Sequence, residues 1–341
     1  MVFSVPSCLR GMSSYGLELG HTLVVMPLLR RGVVLALAVL AWSGVAVERA
    51  IFAQQPGTSP GTFYCPMHPD ITATAEASCA RCGMKLVPGD PLDAREYAVD
   101  MMATPQAVRP GRPVRLTFTI RHPDTGATVR TFATVHEKPF HLFVVSHDLD
   151  YYDHVHPEMQ ADGSWTIDLT VPKAGYYKLF SDFLPIGGTP QVVPRLLVAG
   201  DAGDLAGARA QLPSDDSLEK TAGSMDVALS LPADGLVAGR DETLRYHIAD
   251  AKTGRPVTNL EPYLAAYGHT LVLSEDTLEY VHAHPVELLP DTIATAAGGP
   301  DLTFKALLPK PGRYRLWTQL KRGGVVTTAR FTVTAASPVG R

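Results

Sequence analysis

The chain has 341 residues, of which 45% are hydrophobic and only 19% charged, and its formal net charge is −4. That balance excludes a strongly basic nucleic-acid-binding surface, and no block of like charges marks an interaction tail. The length exceeds one small module and suits two or three domains.

The N-terminus reads as a targeting segment. Arg30-Arg31 precede Gly32 to Val47, an uncharged apolar stretch of sixteen residues, and small residues continue to Ala53-Gln54. This is a basic region, an apolar region and a cleavage site after Ala53. The stretch is short for a transmembrane helix. Residues 1–53 are therefore expected to be a signal peptide or, if uncut, an N-terminal membrane anchor, with Met26 or Met12 as alternative starts. Either reading places the chain outside the cytoplasm, in the periplasm or an equivalent compartment, tethered to the cytoplasmic membrane by residues 32–53 if cleavage fails. Membrane contact is expected only through that segment. Cleavage removes four arginines, two glutamates and Cys8, leaving a net charge of −6 and three cysteines. An odd number cannot pair fully within one chain, and Cys79 and Cys82 are too close in sequence for a usual structural disulfide. Metal ligation explains the count better.

After a Pro/Gly/Ser/Thr linker over residues 54–61 comes a compact module, residues 62–90. It contains Tyr64-Cys65-Pro66-Met67-His68-Pro69 and then Cys79-Ala80-Arg81-Cys82-Gly83-Met84. The spacing is Cys-x2-His, ten residues, Cys-x2-Cys, so each half places two donors on one tight turn. Thiolates and imidazole select soft or borderline transition metals, copper(I) or zinc, where calcium or magnesium would want oxygens. Cys65, Cys79 and Cys82 are the expected thiolate ligands, with His68 as the fourth. Met67 and Met84 add thioethers, which suit copper(I) or silver(I) and which zinc does not need. A purely structural zinc knuckle would use the same ligands, since so short a segment has almost no core and needs a metal to fold.

This segment resembles the heavy-metal-binding domain of bacterial metal-resistance proteins, found on periplasmic adaptors of heavy-metal efflux pumps and on some copper-transporting P-type ATPases. The resemblance covers about residues 63–88 and matches Cys65, His68, Cys79 and Cys82 to the donor positions, with Met67 and Met84 beside them. It implies a heavy metal as ligand and a heavy-metal efflux component as partner. The stretch Thr72 to Ala77 departs from the family's more basic loop, which should alter the loop and not the ligands. Nothing after Pro88 resembles an efflux adaptor's coiled-coil hairpin or lipoyl-like domain.

The remainder is a duplication. An offset of 128 positions carries His141, Ser146, Asp148, Tyr152, His154, His156 and Pro157 onto His269, Ser274, Asp276, Tyr280, His282, His284 and Pro285. After about nine extra residues in the second copy the register resumes at an offset of 137, aligning Pro172-Lys173 and Tyr177 with Pro309-Lys310 and Tyr314. Repeat 1 is expected over residues 95–199 and repeat 2 over 225–335, joined by a polar linker at 200–224. Segments such as Val114 to Ile120, Ser164 to Val171 and Arg313 to Trp317 alternate apolar and polar residues, the period of half-buried strands. The fold class expected is mainly β: a small zinc-ribbon-like module followed by two tandem immunoglobulin-like β-sandwich domains. The double pattern also resembles a family of exported immunoglobulin-like modules that follow heavy-metal-binding domains, which implies architecture and no particular activity.

A second constellation lies in the repeats. His154-Val-His156 and His282-Ala-His284 each put two imidazoles on one face of a strand. His141 and His269, thirteen positions upstream, begin the apolar runs Leu142 to Val145 and Leu271 to Leu273, read as neighbouring strands. One imidazole from the paired strand would complete a three-histidine site in each copy, so His141, His154, His156, His269, His282 and His284 are candidate second metal ligands. The alternative is that they hydrogen-bond at a strand edge. A blue-copper centre is excluded, because neither repeat contains cysteine. No GxSxG or other nucleophile motif occurs, and a non-enzymatic role is expected. The function expected is extracytoplasmic binding of copper, silver or zinc, buffering the metal or handing it to an efflux system. A structural knuckle on an interaction module and, more weakly, a metalloenzyme with a histidine-ligated centre stay open.

Overall fold

The computed structural model describes residues 62–338 apart from Met67, Cys82, Gly83, 202–211 and 288–296. The expected signal segment, the linker at 54–61, Met67 and Cys82 thus lie outside the described residues. Every regular element among those residues is a β-strand, and none of the described residues forms a helix long and apolar enough to cross a membrane.

The N-terminal module is a three-stranded sheet in which β1 (Phe63–Cys65) pairs with β2 (His68–Ala73) and β3 (Val87–Pro88). Its apolar interior is tiny: Cys65, Cys79 and Leu86 are buried, with Phe63, Ile71 and Ala73 against them. Such a core cannot offset the chain entropy of its own ordering, so the module depends on other tethers. One is visible. Buried Tyr64 donates its hydroxyl to the Gly188 carbonyl of repeat 1 at 2.8 Å.

Repeat 1 is a β-sandwich. One sheet has the order β4 (Ala98–Thr104), β5 (Val114–Arg121), β9 (Trp165–Leu169), β8 (Glu158–Met159). The other has the order β11 (Gln191–Ala199), β10 (Gly175–Phe183), β6 (Phe140–Ser146), β7 (Tyr152–Val155). The alternation in Val114 to Arg121 delivers Val114, Leu116, Phe118 and Ile120 to the interior, where Phe118, Phe140, Trp165 and Phe183 pack. Tyr177 closes a corner by donating to the Lys173 carbonyl at 2.8 Å, and Tyr314 repeats this with Lys310 at 2.7 Å.

Repeat 2 follows the same plan. Its first sheet runs β12 (Glu219–Ala222), β13 (Met225–Ser230), β15 (Asp241–Asp250), β18 (Asp301–Leu307). Its second runs β14 (Leu236–Val237), β20 (Val325–Ala336), β19 (Gly312–Arg322), β16 (His269–Ser274), β17 (Tyr280–Ala283). Strand β12 lies within the stretch expected to be linker. Four residues of modest hydrophobicity carry too little pattern to mark a strand, and only pairing with Met225–Ser230 makes one.

Every residue of β6 and of β16 is buried. An outer sandwich strand should show one wet face, so something covers the outside of both. Each covers the other. Phe143, Val145, Leu149 and Phe180 of repeat 1 form one apolar cluster with Leu271, Leu273 and Trp317 of repeat 2. Tyr152 stacks on Trp317 with ring centroids 5.1 Å apart, and at the matching positions Tyr280 lies against Phe180, also at 5.1 Å. The contact is therefore self-complementary in the manner of a two-fold dimer, written into one chain. Truncating Leu271 to alanine should open a cavity in this layer and lower the unfolding free energy in urea by about 2–5 kcal/mol. Leu278→Ala, at a side chain 67% exposed, should change it by less than about 0.5 kcal/mol.

Candidate metal centres

In the N-terminal module the antiparallel turn between β1 and β2 brings His68 opposite Cys65. A second hairpin, closed by Cys79 N–H to the Met84 carbonyl at 2.7 Å and Leu86 N–H to the Ala77 carbonyl at 2.9 Å, carries Cys79 up to the same point. His68 Nδ1 lies 3.7 Å from both Cys65 Sγ and Cys79 Sγ. The two thiols and the imidazole thus converge on one spot, the arrangement expected of a tetrahedral N/S site with room for a further donor. Burial, with Arg81 nearby, holds the His68 pKa below the ordinary histidine value, leaving its ring neutral and able to ligate. The Met84 backbone serves this hairpin. The fourth expected ligand, Cys82, and Met67 fall outside the described residues.

The histidines of the repeats are brought together as two triads, His141/His154/His156 and His269/His282/His284, each with its ligand atoms within 4.8 Å of one another. Pairing of β6 with β7 sets Phe143 opposite His154, and pairing of β16 with β17 sets Leu271 opposite His282. The hydrogen bonds fix which nitrogen each ring presents. His141 donates Nε2–H to the Val135 carbonyl at 2.9 Å, and His269 does the same to Tyr263 at 2.7 Å. His154 donates Nδ1–H to Gln319 Oε1 at 2.9 Å. His282 points Nδ1 at Asp182 Oδ2, 3.3 Å away. The other nitrogens are left bare. His269 Nδ1, His282 Nε2 and His284 Nε2 are buried with no partner. In the first triad His141 Nδ1 faces His154 Nε2 at 3.1 Å and His156 Nε2 at 3.2 Å. Since the protons of His141 and His154 are committed elsewhere, the 3.1 Å contact sets two lone pairs against each other. A cation between them removes that repulsion. Metal–imidazole bonds of about 2.0–2.1 Å in tetrahedral geometry place ligand nitrogens roughly 3.3 Å apart, close to what is seen.

Burial of five of the rings disfavours their charged form. The pKa values of His154, His269 and His284 fall well below the ordinary value, with neighbouring imidazoles adding to the burial effect. His156 is lowered to about 3 for the same reasons, with Lys138 contributing. His141 is lowered as well, first by burial and then by His282. These are metal-ready donors in an apolar setting.

Sequence reasoning placed one triad in each repeat and stopped there. The structure adds that the two face each other across the interface, with ring centroids of His141 and His282 6.0 Å apart and of His154 and His269 6.1 Å apart. Three further residues went unnoticed. Asp182 and Gln319 are equivalent under the second offset, and each reaches the opposite repeat: Asp182 holds His282 and Tyr280, while Gln319 holds His154 and Tyr152. A carboxylate or amide in the middle of an otherwise apolar strand was the available signal. The third is His136, whose ring stacks on His284 at 3.6 Å. It sits on a two-residue turn in which His136 and Glu137 both have positive φ, 49° and 65°. Repeat 2 keeps the same unusual turn with Leu264 and Ala265 at 53° and 58°. The carbonyls that orient His141 and His269 belong to the residues just before these turns, which gives the strained backbone a positioning role.

A tandem immunoglobulin-like β-sandwich protein led by a small Cys/His knuckle is thus the class that fold and sites define. The chain belongs to the family described as "Domain of unknown function (DUF8832)", whose model matches residues 93–199 and again 220–337. Residues 62–88 match the family "Heavy metal binding domain". No curated protein matches. Among solved structures, the Escherichia coli adhesin FdeC is 12% identical over 74% of this chain and 68% of its own, with a TM-score of 0.23. The Yersinia pseudotuberculosis adhesin InvE is 14% identical over 70% of this chain and 60% of its own, with a TM-score of 0.20. A Salmonella alpha-2-macroglobulin mutant is 13% identical over 78% of this chain but 17% of its own, with a TM-score of 0.24. None of these likenesses bears on function. The matched metal-binding domain and the donor groups together point to a transition metal as ligand.

Gln319→Leu removes the acceptor for a buried N–H of His154. In metal-free buffer it should lower the unfolding free energy by about 1–3 kcal/mol, with Gln319→Glu avoiding most of that loss because its carboxylate still accepts.

Proposed function

We propose that the protein is an extracytoplasmic binder of copper, silver or zinc that captures the ion on its N-terminal knuckle and buffers it or passes it to a heavy-metal efflux component. The observation that carries the reading is the convergence of Cys65, His68 and Cys79 on one point in a module matching a heavy-metal-binding domain. Two thiolates and one imidazole favour soft and borderline ions over magnesium or calcium. Export is supported by the basic and apolar pattern of residues 30–53. The role is binding and not catalysis: the histidine donors are largely shielded from solvent, and the sequence holds no nucleophile motif.

Metal analysis of the purified full chain tests this. Changing Cys65, Cys79 and Cys82 together to serine should remove one equivalent of tightly held metal. Copper(I) added to the zinc-loaded parent should displace zinc from the knuckle. Failure of copper(I) to compete would leave a purely structural zinc as the reading.

A further inference from the structure

The interface between the repeats carries more than a pair of unrelated histidine groups. We infer that it holds two transition-metal ions, one on each triad, and that each site is oriented by a residue donated from the opposite repeat. This goes beyond the metal-handling role of the knuckle and does not depend on it.

Three observations support two ions. Each triad gathers three imidazole nitrogens, and the second nitrogen of His141, His154, His269 and His282 is held by a carbonyl, amide or carboxylate. That is the arrangement by which proteins set the tautomer and angle of a ligating histidine. The bare nitrogens are buried and without other partners in the second triad, and opposed at 3.1 and 3.2 Å in the first. Stranded buried polar atoms are rare in folded proteins, and several at one point call for a ligand. The apolar ring of Phe143 packs against His154 and His282, with ring centroids 4.2 and 4.9 Å apart.

The crossed supports make the sites unequal. Behind His282 stands the buried carboxylate of Asp182; behind His154 stands the neutral amide of Gln319. Asp182 Oδ2 lies 3.3 Å from His282 Nδ1 and accepts the Tyr280 hydroxyl at 3.0 Å, so this carboxylate is fixed behind that ring. A carboxylate behind an imidazole makes it a stronger donor and offsets the charge of the ion. The second triad also has His136 of repeat 1 stacked on His284, where the matching position in repeat 2 is the apolar Leu264. A divalent ion therefore fills the His269/His282/His284 site first and the His141/His154/His156 site second. Because each site draws on both repeats, occupancy pins the two sandwiches together.

The test uses the full chain with Cys65, Cys79 and Cys82 changed to serine, titrated with Zn2+ and, separately, with Cu2+. Two equivalents should bind in two steps, and the Cu2+ form should show nitrogen-only coordination by electron paramagnetic resonance. His269→Ala with His282→Ala should abolish the tighter step, and His141→Ala with His156→Ala the weaker one. The crossed pattern is the signature. Asp182→Asn, in repeat 1, should weaken only the step belonging to the repeat 2 histidines, by about 10–100-fold. Gln319→Leu should weaken only the other. Should Asp182→Asn not fold, Tyr280→Phe removes one of the two groups holding that carboxylate and should shift the same step by a smaller factor. Fewer than two equivalents, or supports that act on the histidines of their own repeat, would overturn the inference. Because the knuckle is absent from every arm, its success or failure as a metal trap is read independently.

Discussion

The outer face of β6 against the outer face of β16 is the contact on which the rest of this molecule depends. A single sandwich would leave Phe143, Val145 and Phe180 in water, and its twin would leave Leu271, Leu273 and Trp317 there. Burying both patches at once is favourable at roughly 25 cal/mol for each Å2 of apolar surface removed. Duplication made the two patches alike, and a pseudo-two-fold axis lets like patches satisfy each other. The same packing carries the histidines, which lie on β6 and β16 and on or just beyond the paired strands β7 and β17, into a water-poor seam.

That seam explains why polar groups are tolerated in so apolar a place. Asp182 and Gln319 would each be costly if buried without partners. Each reaches across the interface to a tyrosine hydroxyl and an imidazole, so the cost is met only when the repeats are docked. Exchange of supports between repeats therefore couples the geometry of the histidine groups to the docking itself. Asp182 against Gln319 and His136 against Leu264 are two places where the copies differ, and both differences fall at the histidines.

The knuckle follows a different logic. It has too little apolar surface to fold on its own, and two features compensate: convergence of thiols on His68 and the reach of Tyr64 into repeat 1. Its two thiols are buried with half-buried His68 beside them, while the donors of the repeats lie in the seam.

Much of this was legible in the sequence, because it rests on local pattern. Period-two alternation in Val114 to Arg121 delivers a strand whichever fold surrounds it, and Cys65-x2-His68 brings two donors together through one short turn. Repetition at offsets of 128 and 137 made two domains evident without any structure. What the tertiary structure alone decided is the relation between the copies. No local rule says that β6 of one repeat will cover β16 of the other, although their unbroken apolar runs hinted at two buried faces. Hence the meeting of six histidines, the crossing of Asp182 and Gln319, and the reach of His136 onto His284 were out of view. Spacing along a chain determines which side chains share a strand face; only the burial of complementary surfaces decides which distant faces meet.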